Sequence, residues 1–279
     1  MSFAKAQMKF SVVVSTHAAG FKAATLQGDL EGNLSRLAAI GYDGAELAIR
    51  DPALVDGQAL LDAVRREGLE VAAIGTGQAW GEDGLSFTAL DEKTRRTAVD
   101  RIKSHLPFAA AADAPVIIGL IRGRSGPGVN KDMAGALLIE ALVECAAGAE
   151  QAGVRLALEP INSEETDLVN DVEQGLELLE QVDSPALGLL ADTYHMHREE
   201  KDIISALEQY KGRLFHVHVA DSNRRYPGAG ELDFAAILDI LEGMGYSGFV
   251  SGEFLPWPNA GDAARRSLEH LKGITGGRR

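Results

Sequence analysis

Three acidic side chains and one histidine stand at the ends of four short apolar runs in the second half of the sequence. The runs have the alternation that is typical of β-strands, and they end in Glu159, Asp192, His218 and Glu253. If the strands are neighbours, the three carboxylates cannot all stay ionised without compensation. A divalent cation provides it, and oxygen ligands with one nitrogen favour Mn²⁺, with Mg²⁺ or Co²⁺ as alternatives. The competing interpretation of each residue is a buried charge paired with an arginine or lysine.

Eight short apolar runs, alternating with longer helical segments, are the elements that would bring these residues together. The predicted strands cover residues 9–15, 43–49, 70–75, 115–121, 155–161, 186–192, 214–220 and 249–254. Such alternation indicates parallel strands joined by helices. We therefore predict an α/β chain that forms one (β/α)₈ TIM barrel domain over residues 1–279, with residues 273–279 as a frayed tail. The carboxyl ends of barrel strands carry the functional residues, so the four side chains are expected to converge there.

Alternation along each strand predicts which side chains face the barrel axis. Glu159 and His218 are expected to point inward, whereas Leu156 and Leu158 point toward the helices. His216 is expected to lie one layer deeper than His218, as a buried histidine whose hydrogen bonds are satisfied. Two further side chains follow the strand ends closely: His195 comes three residues after Asp192, and Arg224 comes six residues after His218. Both are predicted to reach the oxygens of a bound ligand.

The composition narrows the class of partner. The formal net charge of -14 makes nucleic acid and anionic membrane surfaces poor partners, because their phosphates would be repelled. The single cysteine, Cys145, excludes an internal disulfide and suits a reducing compartment. No secretory signal is visible, and no apolar run approaches the roughly 20 residues that a membrane span needs. These features predict a cytoplasmic protein that acts on a small molecule.

Four motifs carry a resemblance to a known family. They are Leu158-Glu159-Pro160-Ile161-Asn162 followed by Glu165-Thr166, Ala191-Asp192-Thr193-Tyr194-His195-Met196, His216-Val217-His218-Val219-Ala220-Asp221-Ser222-Asn223-Arg224, and Gly252-Glu253. With these motifs the chain resembles the xylose-isomerase-like sugar isomerases and epimerases, in particular the D-tagatose 3-epimerase branch. The spacings between the four predicted ligands, 33, 26 and 35 residues, agree with that family.

The resemblance implies both a ligand set and a reaction. Glu159, Asp192, His218 and Glu253 would bind one metal ion, and the two glutamates would also serve as acid and base. Glu165, His195 and Arg224 would contact the substrate. The reaction would remove a proton next to a carbonyl and return it on the other face, through a metal-stabilised enediolate. Homo-oligomers are common in this family, so one is possible here.

Three loops carry a narrower resemblance: Arg50-Asp51-Pro52-Ala53, Ile74-Gly75-Thr76-Gly77-Gln78-Ala79 and Gly119-Leu120-Ile121-Arg122-Gly123-Arg124. With them the chain resembles the 5-keto-L-gluconate epimerases, whose substrate is a keto sugar acid. Arginine pairs with carboxylates through two parallel hydrogen bonds, and an acidic protein needs such an anchor to hold an anionic substrate. Arg122 and Arg124, which follow the fourth strand, are therefore predicted to bind the carboxylate of a keto sugar acid. Gln78 and His17 are predicted to supply further hydrogen bonds to the substrate.

Several alternatives remain open from the sequence. The same residues would suit a neutral ketose 3-epimerase or a hydroxypyruvate-type aldose-ketose isomerase. A metal-dependent hydrolase or endonuclease is less consistent, because hydrolytic barrels often carry H-x-H on the first strand, whereas His216-Val217-His218 lies on the seventh. A non-catalytic sugar-binding protein would not need two opposed glutamates.

Overall fold

A closed barrel of eight parallel strands forms the centre of the protein. The computed structural model describes residues 8–276, and each strand pairs with its neighbours in sequence order, with β1 and β8 closing the ring. The strands are β1 (Lys9–Ser15), β2 (Gly44–Ala48), β3 (Glu70–Gly75), β4 (Val116–Ile118), β5 (Leu156–Leu158), β6 (Leu187–Asp192), β7 (Leu214–Val219) and β8 (Phe249–Gly252). The predicted (β/α)₈ TIM barrel is confirmed.

Helices follow the strands and surround the barrel. They are α1 (Leu30–Ile40), α2 (Gly57–Arg66), α3 (Gln78–Gly81), α4 (Glu92–Ala112), α5 (Lys131–Ala152), α6 (Val172–Val182), α7 (Thr193–Glu199), α8 (Ile203–Gln209), α9 (Phe234–Gly243) and α10 (Ala260–Gly276). None of the helices among residues 8–276 combines the length and apolar character that a membrane crossing requires. Because α10 extends to Gly276, residues 273–276 of the predicted tail are helical rather than frayed, and residues 277–279 lie outside the described part of the chain.

Two strands are shorter than the sequence predicts. β4 stops at Ile118 because the chain turns into a 3-10 helix at Leu120–Arg122. β5 stops at Leu158, and Pro160 follows, which has no N–H to donate to a neighbouring strand. In both places the residues predicted to extend the strand instead form the loops at the carboxyl end of the barrel.

Aspartates begin most of the longer helices. The carboxylates that accept a backbone N–H from the first turn belong to Asp29, Asp56, Asp91, Asp171, Asp202 and Asp233, and Asn130 caps α5 in the same way. A negative charge at this position satisfies free N–H groups and complements the helix dipole. Part of the excess acidity of the chain is therefore used to fix where the helices start.

The interior of the barrel is divided by polarity. Ala73, Ile117, Ala157 and Leu190 form a small apolar cluster inside it. Leu156 and Leu158 instead belong to the large core between strands and helices, as the predicted alternation requires. The buried polar side chains of the other strands, β1, β2, β7 and β8, are Ser11, Ser15, Glu46, His216, His218 and Ser251. The deeper interior is thus apolar on the side of β3, β4, β5 and β6, whereas polar side chains from both sides, including Asp192 of β6, meet at the carboxyl end.

Candidate active site

Glu159, Asp192, His218 and Glu253 converge at the carboxyl end of the barrel. Each offers one nitrogen or oxygen atom, and these atoms all lie within 4.8 Å of one another. Asp192 and His218 are register partners on β6 and β7, while Glu159 and Glu253 directly follow β5 and β8. The convergence expected from the strand ends is therefore present, because the closed barrel brings four consecutive strand ends to one rim.

The geometry of the cluster leaves room for a cation at its centre. The Nδ1 atom of His218 lies 3.6 Å from Glu159 Oε1, 3.7 Å from Asp192 Oδ2 and 4.0 Å from Glu253 Oε1. Both His218 Nδ1 and Glu159 Oε1 are buried without a hydrogen-bond partner. Buried polar atoms normally have partners, and three oxygens with one nitrogen form a donor set that suits a divalent cation. The cluster could therefore hold a metal ion.

The two carboxylate oxygens of Asp192 have different partners. Oδ1 accepts the backbone N–H groups of Tyr194 and His195 at 2.7 and 3.1 Å and so begins α7, while Oδ2 faces His218. The helix cap fixes the rotation of the carboxylate. As a result, α7 both orients this oxygen toward the cluster and carries His195 beside it.

Crowding of charge shifts the pKa values of the cluster in opposite directions. Burial alone would raise the pKa of Glu159, but His218, His195 and Arg122 outweigh it and lower that pKa. Burial raises the pKa of Glu253 to about 8, and the charges of Glu159 and Asp192 add to the rise. For His218, burial would lower the pKa, but the surrounding carboxylates raise it instead. The metal-free cluster therefore holds protons that a cation would displace.

A hydrogen-bonded chain positions the predicted substrate contacts. The side-chain amide of Asn162 lies 2.7 Å from His195 Nδ1 and 3.2 Å from Glu165 Oε1. Because the amide nitrogen donates, Nδ1 of His195 is the acceptor, and the neutral ring carries its proton on Nε2. Nε2 lies 3.8 Å from Glu159 Oε1. His195 thus presents an N–H group beside the cluster.

Arg224 places a positive charge beside Glu165 and the cluster. It donates to Glu165 Oε1 at 2.8 Å, lies 3.8 Å from Glu253 Oε2 and stacks over the ring of Tyr194 at 4.8 Å. Its backbone adopts a left-handed φ of 58°. The Arg224 N–H donates to the Asp221 carbonyl, and the Arg224 carbonyl accepts the Leu255 N–H. Arg225 instead lies over Trp257, away from the cavity.

A cavity of about 280 Å³ opens beside the cluster. Its polar side chains include Gln78, Glu165, His195 and Arg224, and its apolar surface comes from Phe21, Trp80, Leu120 and Ile161. Ligand sites usually measure about 300–1,000 Å³, so this cavity suits a single small molecule. A larger cavity, of about 580 Å³, lies at the opposite end of the barrel and contacts none of the four cluster residues.

Three of the predicted substrate contacts do not line this cavity. Arg122 is fully buried, and its guanidinium donates to the backbone carbonyls of Gly119, Leu168 and Val169. Arg124 is exposed. His17 lies next to Thr16, with its Nδ1 3.2 Å from Thr16 Oγ1. The anchor predicted for Arg122 is therefore corrected: the 3-10 turn after β4 directs its guanidinium into the protein, where it donates to carbonyls of two loops. The role predicted for Arg124 stays a prediction.

Two residues of the site were not expected from the sequence. Glu46 lies on β2 with 1% of its surface exposed and contacts His216 and His218. Asn162 positions His195 and Glu165. A signal for Glu46 existed, since it is the one charged residue in the otherwise apolar strand Gly44–Ala48. Asn162 gave no comparable signal, because its contact with His195 joins two segments that lie 33 residues apart in the chain.

Replacing Arg122 should reduce stability rather than substrate choice. Arg122→Met removes the donors to three buried carbonyls, so we expect the free energy of unfolding to fall by roughly 2–4 kcal/mol. The exposed Arg124→Ala should change it by less than about 0.5 kcal/mol. Urea denaturation checks both values. A stable Arg122→Met protein that loses affinity for keto sugar acids alone would restore the anchor interpretation.

Metal affinity should increase with pH. Because the pKa of Glu253 is raised to about 8, a cation must displace the proton from this carboxyl at lower pH. We expect the association constant for Mn²⁺ to rise about tenfold per pH unit for each proton displaced, between about pH 6 and about pH 8. Isothermal titration calorimetry measures the constant. An affinity that stays constant over this range would contradict the shift.

Known proteins are similar to this chain in sequence. The profile of the xylose isomerase-like TIM barrel family matches residues 34–274. The L-ribulose 3-epimerase of Mesorhizobium japonicum is 30% identical over 242 residues, which cover 86% of this chain and 80% of that protein. The ketose 3-epimerase of Arthrobacter globiformis is 31% identical over 214 residues, covering 75% of this chain and 72% of that protein.

Solved structures agree on the fold. The crystal structure of D-psicose 3-epimerase with D-tagatose, from Clostridium cellulolyticum H10, superposes with a TM-score of 0.82 at 21% identity. The superposition covers 96% of this chain and 99% of that one, and at this identity it concerns the fold alone. The family match and the relatives confirm the resemblance that the motifs predicted. This chain belongs to the xylose isomerase-like TIM barrel family, and its relatives include proteins named as ketose 3-epimerases.

Proposed function

We propose that this protein is a metal-dependent ketose 3-epimerase that acts on neutral keto sugars. The observation that carries the proposal is the pair Glu159 and Glu253 at one metal-binding cluster. β5 and β8 are separated by two strands in the closed ring, so the two carboxylates approach the cavity from different sides. The relatives named as L-ribulose and ketose 3-epimerases support the same reaction.

Epimerisation needs proton transfer on two faces of one carbon. A single base held on one side cannot easily deliver a proton to the opposite side, whereas two carboxylates can. One glutamate would remove the proton next to the carbonyl, and the other would supply a proton to the opposite face. Positioned acid and base groups typically accelerate such transfers by about 10²- to 10⁴-fold. The direction of the reaction decides which glutamate acts first.

Neighbouring side chains would hold the sugar in register. His195 offers its Nε2–H, since Asn162 donates to Nδ1, and Arg224 offers N–H groups held by Glu165. Both donors would bind substrate oxygens, because misplacement by about 1 Å can reduce the rate about 10²-fold. A divalent cation, when bound, supplies positive charge that offsets the negative charge developing on those oxygens. We propose Mn²⁺ for this role from the mixture of oxygen and nitrogen donors.

The charges around the cavity favour a neutral substrate over a keto sugar acid. Among the described residues that line the cavity, Arg224 is the single arginine or lysine, and Glu165 and Glu253 already neighbour it. Glu82 adds a further carboxylate to the wall, paired with Arg50 at 3.1 Å. A carboxylate on the substrate would thus meet acidic groups without a free cation. This argues against the 5-keto-L-gluconate type of substrate.

A turnover panel tests the choice of substrate. With Mn²⁺ supplied, we expect neutral five- and six-carbon 2-ketoses to react and keto sugar acids to react at least about tenfold more slowly, a difference of about 1.4 kcal/mol. Chromatography of the products separates C3 epimers from aldoses. Turnover of keto sugar acids alone would contradict the neutral-substrate proposal, and aldose products would identify an aldose-ketose isomerase.

Removing either proposed acid or base should strongly slow epimerisation. We expect Glu159→Gln and Glu253→Gln each to lower kcat by about 10²-fold or more. In deuterated water the wild-type product should carry label at the epimerised carbon. Glu164→Gln is the matched control, because Glu164 is an exposed neighbour that does not line the cavity. Full turnover in both site variants would contradict the mechanism.

A further inference from the structure

Glu46 is a buried carboxylate behind the metal-binding cluster. It lies on β2 with 1% of its surface exposed and reaches across the barrel interior to two histidines of β7. His216 Nε2 lies 2.8 Å from Glu46 Oε2, and His218 Nε2 lies 3.0 Å from both carboxylate oxygens. An ionised carboxylate can accept hydrogen bonds but cannot donate them, so both histidines donate to Glu46 through Nε2.

This arrangement determines which nitrogen of His218 faces the cluster. With the Nε2 proton directed at Glu46, the lone pair of the neutral ring is on Nδ1. Nδ1 is the atom that lies within 4.0 Å of Glu159, Asp192 and Glu253 and has no hydrogen-bond partner. Histidines that bind metals commonly donate their other N–H to a carboxylate, which fixes the ring and increases its basicity.

We propose that Glu46 is a positioning residue that presents Nδ1 of His218 to the metal ion. His216 supports both residues. Its Nε2 donates to Glu46 Oε2, and its ring packs edge to face against the ring of His218, with centroids 5.2 Å apart. Glu46, His216 and His218 thus form one rigid unit across the barrel. The inference rests on the metal site of the proposed function, but it does not depend on the identity of the sugar.

The same three residues do not form a second metal site. Glu46, His216 and His218 are close enough to be considered as ligands. However, a neutral histidine has one lone pair, and His218 cannot offer it to ions on both sides. The separations of 2.8 and 3.0 Å between Nε2 and the carboxylate are those of hydrogen bonds with a proton between the atoms. Wild-type protein should therefore bind one divalent ion per chain.

Metal binding to Glu46 variants tests the proposal without using turnover. Glu46→Gln keeps one acceptor oxygen but removes the charge, and Glu46→Leu removes both acceptors. By calorimetry we expect the Kd for Mn²⁺ to increase about 10-fold in the first and about 100-fold in the second, the range seen when such supporting groups are lost. Glu200→Gln is the matched control, because Glu200 is a partly buried carboxylate that accepts the Val172 N–H outside the cluster. Its Kd should equal that of the wild type.

A spectroscopic readout separates positioning from a general loss of stability. In wild-type protein loaded with ¹¹³Cd²⁺ and labelled with ¹⁵N-histidine, the ion should couple to Nδ1 of His218. In Glu46→Leu this coupling should be lost or move to Nε2, and in Glu46→Gln, which is expected to fold, it should weaken. A purely structural role would lower the thermal stability and leave both the Kd and the coupling unchanged.

Three results would overturn the inference. The first is an Mn²⁺ Kd within about twofold of wild type in Glu46→Gln with the Nδ1 coupling intact. The second is two ions per wild-type chain, with one lost in His216→Leu. The third is wild-type protein that binds no divalent ion, which would also remove the metal from the proposed function. Failure of the ketose panel alone would leave the role of Glu46 standing.

Discussion

Repulsion among buried carboxylates is the constraint on which the rest of this structure depends. Two like charges about 4 Å apart repel by about 4 kcal/mol at an effective dielectric constant of 20. Here three carboxylates surround one imidazole, and a fourth, Glu46, lies behind it. The fold tolerates this concentration because every one of these groups faces a histidine, and a bound cation would relieve the remainder.

Residues around the cluster compensate part of its negative charge. Arg122 is buried beneath the loops and lowers the pKa of Glu159, while Arg224 opposes the rise of the pKa of Glu253. Asp192 satisfies one of its oxygens by capping α7. These interactions leave the cluster's remaining lone pairs directed inward, toward a common centre. Catalytic geometry and electrostatic compensation therefore come from the same contacts.

The deeper interior of the barrel is apolar on one side and polar on the other. β3, β4, β5 and β6 contribute Ala73, Ile117, Ala157 and Leu190 to an apolar cluster, which packs one side tightly. The other side contains Glu46 and the two histidines of β7, His216 and His218, which are hydrogen-bonded to it. The metal-binding cluster lies at the carboxyl end of both sides, since Glu159 and Asp192 come from β5 and β6 and His218 and Glu253 come from β7 and β8.

Much of the architecture and the ligand set could be read from the sequence. Alternating strands and helices predict a barrel, and period two predicts that Glu159 and His218 face inward, because both patterns are local. The ends of β4 and β5, the direction of Arg122 and the contacts of Asn162 could not be read, since they depend on turns and on partners far away in the chain. Arg122 shows the difference well: its type and position resemble an anion anchor, but a 3-10 turn directs it into the core.

The sequence by itself determined which side chains can bind a metal and on which strand ends they lie, since residue type and strand periodicity are properties of the chain. Only the tertiary structure decided that Glu46 on β2 meets His216 and His218 on β7. The ring closes where β1 pairs with β8, and this closure places β2 and β7 on opposite sides of one shared interior. That contact spans 170 residues or more and fixes the orientation of an imidazole, which no local pattern can specify.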